Sequence, residues 1–200
     1  NDMKRFIGHT ILILLAEIFL FCPITMSQNN PYKINDQLYS YYQKCNSAIR
    51  KPEVLLMADT LFHMAKKKGD VKAQCLALNL KSDHYYFIND INTLLIEKEK
   101  VADFARNTPY KQYIFGAWNR IITYYLRNRE YDSAIQELKK YQDEAIRLDN
   151  PYGIGKSYVR MGDVYYQQRM FRLASNNTNR LWITTYRPAM KKRTFIRIAP

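Results

Sequence analysis

Laying the sequence over itself so that Tyr85 falls on Tyr125 brings like side chains into columns, and no other feature constrains the fold as much. The same offset carries Tyr125 onto Tyr165. Leu78, Trp118 and Tyr158 share a second column, seven residues earlier, and Ser82, Ile122 and Gly162 a third, where two helices are expected to approach closely. A later set aligns Ile91 with Tyr131 and Phe171, and Leu94 with Ala134 and Ala174. One period upstream, Leu38, Tyr42, Cys45 and Val54 give a weaker match. A repeat of about 40 residues is a single supersecondary unit. It cannot bury its apolar face alone, so neighbouring copies must stack.

Within each period apolar residues recur at three and four, the spacing of an amphipathic helix, and no strand pattern interrupts this up to about residue 175. The stretch Asn128 to Leu138 reads as a tight turn into a helix with Tyr131 and Ala134 inward. Asn30-Pro31-Tyr32 recurs three periods later as Asn150-Pro151-Tyr152, and Asn107-Thr108-Pro109-Tyr110 is a related start slipped by two residues. In each, Asn or Thr is read as a helix cap and Pro as the first helical residue, where no N–H is needed. Gly69-Asp70 marks the remaining break. The predicted fold is all-α, three and a half to four helical hairpins. The helices are expected near 31–49 and 53–67, 72–88 and 91–106, 109–128 and 131–147, then 152–168, with an incomplete helix from 171.

Tyr158, Met161-Gly162, Tyr165, Phe171 and Ala174, with Trp118, Ile121, Tyr125, Tyr131, Ala134 and Leu138 one period earlier, resemble the tetratricopeptide repeat family. Ile122 stands where that family has Gly, and Lys81 and Leu94 depart in the second hairpin. The period of about 40 residues also exceeds the family's usual length of about 34. The resemblance covers roughly 140 residues and implies a solenoid whose first helices line a groove. Carried over by register, the groove positions are Tyr39 and Gln43 in the first hairpin and Asn79, Asp83 and Tyr86 in the second. Asn119 and Thr123 follow in the third, and Asp163 and Tyr166 in the fourth. Their amides and phenols suit an extended peptide, whose backbone needs donors and acceptors along its length. The groove so drawn holds no Lys/Arg cluster. Acidic chain ends are therefore not the expected ligand, and Asp83 and Asp163 are expected to tolerate a neutral or basic segment.

The net charge of +13 points to nucleic acid only until it is mapped. Residues 1–27 are balanced, residues 28–168 carry +5, and residues 169–200 carry +8 with no acidic group. No dense basic stripe runs through the body, so nucleic acid is not the expected partner; binding through the basic tail is the minor alternative. Lys4-Arg5 precedes an eleven-residue apolar run, Ile11 to Phe21, and Thr25-Met26-Ser27 places small residues before a cut. This reads as a secretory signal over residues 1–27 with a mature start near Gln28. The run is short against the roughly 20 residues of a membrane span, and Glu17 interrupts it. Membrane attachment through residues 11–21 is expected only if the signal is retained. With an exported start, the chain is similar to the exported repeat segments of sensor kinases and regulators in Bacteroidetes, which implies a periplasmic sensory part. A cytosolic scaffold with an uncleaved start is the competing reading.

No chemistry-bearing constellation emerges. His63 and His84 fall in different hairpins, and no HExxH, phosphate loop or nucleophile elbow is present. Tyr152 to Ser157 ends in Gly-Lys-Ser but lacks the first Gly of a phosphate loop and no strand precedes it. Glu97, Glu99 and Asp103 beside Lys98 and Lys100 read as a solvated, ion-paired face. Cys45 and Cys75 differ by ten residues in register, about 15 Å along a helix, beyond the roughly 7 Å that a disulfide spans, so two separate thiols are expected. No enzyme activity, cofactor or metal is expected. The expected function is protein or peptide binding by residues 28–174. After Ser175 the repeat is expected to stop at a frameshift or gene break, leaving a basic, disordered tail; a basic anchor is the alternative.

Overall fold

The computed structural model describes residues 30–177 and 179. The chain divides into two units, Asn1–Lys33 and Ile34–Pro200. In the first, only 30–33 are described, a turn closed by Lys33 N–H donating to Asn30 O at 3.0 Å. The expected signal segment and most of the tail lie outside the described residues.

The second unit holds helices α1 (Asp36–Ser47), α2 (Glu53–Lys67), α3 (Val71–Phe87), α4 (Ile91–Ala105), α5 (Gln112–Arg127), α6 (Tyr131–Arg147) and α7 (Pro151–Gln167). Residues 171–177 are helical again, and no strand occurs among the described residues. Each helix packs on the next, and the first helices of successive hairpins, α1, α3, α5 and α7, also pack on one another.

The helix ends show the repeat most plainly. Gly69, Asn89, Arg129, Asp149 and Arg169 all adopt positive φ, between 47° and 69°. They recur at multiples of half the repeat period. Each is the left-handed residue of a helix-ending motif in which the next N–H reaches back to the carbonyl five residues before it. Asp70 N to Ala65 O at 2.9 Å, Glu130 N to Tyr125 O at 2.8 Å and Met170 N to Tyr165 O at 2.8 Å are examples. The position missing from this series is 109, which is proline, whose ring holds φ negative and forbids the turn. The α4–α5 link is accordingly six residues long where the links at the other five positions have three.

Pro109 also displaces the expected start of α5. Thr108 Oγ1 donates to Ala105 O at 2.9 Å and accepts from Tyr110 N–H at 3.1 Å, so 106–111 closes on itself and the helix begins at Gln112. The first helix likewise starts later than Pro31, because Asn35 caps it by accepting from Gln37 N–H at 3.1 Å. Asn150-Pro151 does act as expected, with Asn150 Oδ1 accepting from Gly153 N–H at 2.8 Å and Pro151 in the first turn.

The repeat columns form the core. Leu38, Val54, Leu94, Ile121, Ile122, Ala134 and Leu138 are fully buried, and Trp118 nearly so. Tyr125, Tyr131 and Tyr165 are half-buried against this core, and Gly162 and Ala174 are buried. Tyr158 is half-buried. The first glycine of the Tyr152 to Ser157 stretch is a packing residue: a Cβ on Gly153 would lie 2.8 Å from both Ala145 Cβ and Phe115 Cε2. Phe171 breaks the expectation. It is 58% exposed and meets Tyr166 edge-on at 5.6 Å. Its column mates Ile91 and Tyr131 are half-buried because a further hairpin packs beside them.

Candidate functional site

The first-helix face is tied together by polar contacts that repeat with the register. Between α3 and α5 the Asn79 side chain lies against Gly116, where a Cβ would sit 3.3 Å from Asn79 Oδ1. One turn on, Arg120 Nε donates to Asp83 Oδ1 at 2.5 Å. Further along, Arg127 Nη1 donates to the Tyr86 hydroxyl at 3.0 Å, and the Tyr86 ring lies 5.5 Å from the Arg120 guanidinium and 5.4 Å from that of Arg127. Between α5 and α7, Arg160 donates to Thr123 Oγ1, and its other terminal nitrogen reaches Asp163 Oδ2 at 3.2 Å. Arg120 to Asp83 and Arg160 to Thr123 are one contact repeated one period apart.

Burial raises the Asp83 carboxyl above its ordinary range, against the hydrogen bond and charge of Arg120, which lower it. Arg120 is held above its ordinary value: burial opposes its charge, but the Asp83 carboxylate outweighs it.

Asn79, Asp83, Asn119, Thr123 and Asp163 therefore share a half-buried, polar face. Two other expected groove residues do not line it openly. Tyr39 and Tyr86 are each 8% exposed, Tyr39 stacked on Tyr42 and Tyr86 enclosed by arginines. Gln43 is exposed on α1, and Tyr166 is 66% exposed at the far end of the stack. The face was expected to hold no Lys/Arg cluster; Arg120, Arg127 and Arg160 all reach across it, and Asp83 and Asp163 are already ion-paired. The sequence held one signal of this, since Arg120 and Arg160 are themselves one period apart. Arg127 is exposed, and its only polar contact among the described residues is a phenol.

On the second helices the supposed solvated charge run is partly interior. Glu97 and Lys98 are 5% and 6% exposed. The Lys98 ammonium lies 4.2 Å from the centre of the Trp118 ring and pairs with Glu99, while Trp118 Nε1 donates to Glu137 Oε2 at 2.9 Å. Lys140 closes the chain on Glu137 Oε1 at 2.6 Å. The groove beside it, about 360 Å³, is lined by Leu95, Ile96 and these charged groups. One period earlier Leu78 replaces Trp118, and Glu97 Oε2 is buried without a hydrogen-bond partner.

Cys45 and Cys75 are buried and free, and burial pushes both thiols up to about 11. His84 is buried with Nδ1 2.8 Å from Ile49 O, a carbonyl that can only accept, so Nδ1 carries the proton. His63 is exposed. Among the described residues no cluster of metal-ligating side chains occurs, and no helix is long and apolar enough to cross a membrane. Compared with family models, with curated proteins and with solved structures, the chain finds no match in any of the three.

Proposed function

We propose that this chain is a protein- or peptide-binding module without a catalytic role, built as a tetratricopeptide-like solenoid, with the face of α1, α3, α5 and α7 as its binding surface. The observation that carries this is the ladder of contacts joining Asp83, Tyr86, Thr123 and Asp163 to three arginines. It fixes phenol, hydroxyl, carboxylate and guanidinium groups in register along successive helices, which fits an extended main chain. Tyr and Arg are also the side chains that contribute most at protein interfaces, because they offer large contact area with polar tips. Since Asp83 and Asp163 already have arginine partners, the ligand class shifts from neutral or basic to neutral or acidic. Arg127, exposed and held in place by Tyr86, is the group such a ligand meets.

The test is site-specific photo-crosslinking. A photoreactive residue at Asn79 or Thr123 is expected to capture one discrete partner, lost in Arg127→Glu, while the same residue at Leu56, 73% exposed on α2, captures none. Equal capture at all three positions, or capture indifferent to Arg127, overturns the reading.

Export completes the proposal. The module acts outside the cytoplasm as the sensory part of a signalling protein, with residues 1–27 removed. Sequencing the mature N-terminus is expected to give a start near Gln28; retention of residues 11–21 leaves the cytosolic scaffold as the better reading.

A further inference from the structure

Lys98 breaks the repeat at a core position. The register that places it on α4 places Ala58 on α2 and Leu138 on α6. Those two are 1% and 0% exposed, and Lys98, in the same column, is 6% exposed. Stacking asks only for an apolar side chain there, and an ammonium drawn out of water is unfavourable unless well paired. Departures of this kind from a local rule concentrate at functional sites. Lys98 lines the groove between α4 and α6, with Leu95, Ile96, Glu99, Trp118, Glu137 and Lys140. Ile96 is 57% exposed and gives the groove an apolar wall. The volume of about 360 Å³ is at the small end of ligand sites. Both Glu137 oxygens are taken, by Trp118 and by Lys140. Among the described residues Lys98 has one ionic partner, Glu99. Glu99 is its chain neighbour, its side chain is 56% exposed, and its second oxygen lies 3.9 Å from Arg106 Nη2.

We propose that this groove binds a small organic acid, an apolar body bearing one carboxylate, which takes the place of the Glu99 carboxylate on Lys98. Glu99 shows the chemistry that Lys98 accepts, so the exchange is like for like. An exposed ion pair contributes little, which makes Glu99 easy to displace. Once released, Glu99 keeps Arg106, and no charge is left alone. The gain is burial of the apolar body against Leu95, Ile96 and Trp118. A cation fits worse: it finds both Glu137 oxygens engaged, and taking Glu99 would strip Lys98 of its partner. The walls of the groove are second helices, not the first-helix face of the peptide ladder, so the two proposals fail separately.

The probes are phenylacetate, phenylpropionate and hexanoate, with phenylacetamide and phenethylamine as neutral and cationic counterparts. Trp118 is one of two tryptophans, so in a Trp182→Phe chain its fluorescence alone reports occupancy. At least one acid is expected to change it saturably in the millimolar range or below, and the amide and amine to bind about tenfold more weakly or not at all. Lys98→Met keeps the stem and removes the charge, and is expected to weaken the acid by about tenfold or more. Glu99→Gln removes the competing carboxylate and is expected to tighten binding, by about fivefold at most. Ile96→Glu, on an exposed side chain, is expected to abolish binding with the helical circular dichroism unchanged, and it decides the matter should Lys98→Met unfold. Arg127→Glu is expected to leave binding intact. The proposal is overturned if none of the three acids binds, if phenylacetamide binds as well as phenylacetate, or if binding ignores Ile96→Glu. Glu99→Gln that leaves the affinity unchanged or weaker also overturns it.

Discussion

Trp118 shows how one side chain joins three helices. It stands on α5, hydrogen-bonds Glu137 on α6 and lies under Lys98 of α4. Trp118→Ala removes a large aromatic, the donor to Glu137 and the ring beneath Lys98, so a loss of about 3–5 kcal/mol is expected in denaturant melts. Trp118→Phe retains most of the packing but leaves Glu137 Oε2 without its donor, for an expected loss of about 1–3 kcal/mol. The column containing Trp118 was legible in the sequence because burial leaves a periodic apolar trace. The burial of Glu97 and Lys98 was not, since a run of alternating charge looks the same whether its long stems lie on water or on an indole ring. The thiols give a second residue-scale prediction. With their pKa values near 11 rather than 9, Cys45 and Cys75 hold about one-hundredth of the usual thiolate at pH 8. Their reaction with a disulfide reagent is therefore expected to be slower than in denaturant by about that factor or more. Rates equal in both conditions would show that these side chains are accessible.

At the scale of the helix, the left-handed links decide where each element stops. Gly69 has φ +68° and nothing within 4 Å of an added Cβ, so Gly69→Ala tests backbone strain alone. A loss of about 1–2 kcal/mol is expected, the cost of holding a Cβ in that conformation. Arg129, at φ 59°, already bears that cost, and Arg129→Gly is expected to raise stability by about 0.5–1 kcal/mol. The melting midpoints of the two variants should therefore move in opposite directions. Most helix boundaries could be read to within a residue or two because Gly69, Asn89 and Asp149 are residue types that tolerate this turn. Arg129 and Arg169 carry no such mark; there the apolar period alone located the ends. The sequence misled at Pro31 and Pro109, where proline precedes the helix instead of opening it, and only the hydrogen bonds of Asn35 and Thr108 show why.

For the molecule as a whole, contacts between repeats carry charge, and this gives acid sensitivity a definite direction. Hydrogen bonds from Arg147 and then Arg106 hold the Glu144 carboxyl below its ordinary 4.5, and the bond from Arg106 links the end of α4 to α6. A carboxyl lowered by folding stabilises the native state above its unfolded value and loses that contribution as pH falls through the folded value. Wild type is thus expected to melt above Glu144→Gln near neutral pH, with the gap closing below about pH 4. A gap that stays constant across that range would remove the linkage. The stacking of helices was foreseeable from the repeat period. The arginine ladder was much less so, because long side chains reach neighbours that no single helix encodes.

The polar side of α1 and the exposed Tyr166 and Phe171 of the fourth hairpin bear on how the described helices assemble. Among the described helices α1 is synthesised before the others, and its exposed side is hydrophilic. The earliest hairpin therefore meets water on that side without a greasy surface to hide. Its other side offers a template, on which the next hairpin condenses as it is synthesised, and that hairpin in turn presents the same kind of platform. Assembly acquires a direction, like a zipper with one stitched end. The apolar face that awaits the next helix then lies on the newest hairpin, nearest the exit tunnel.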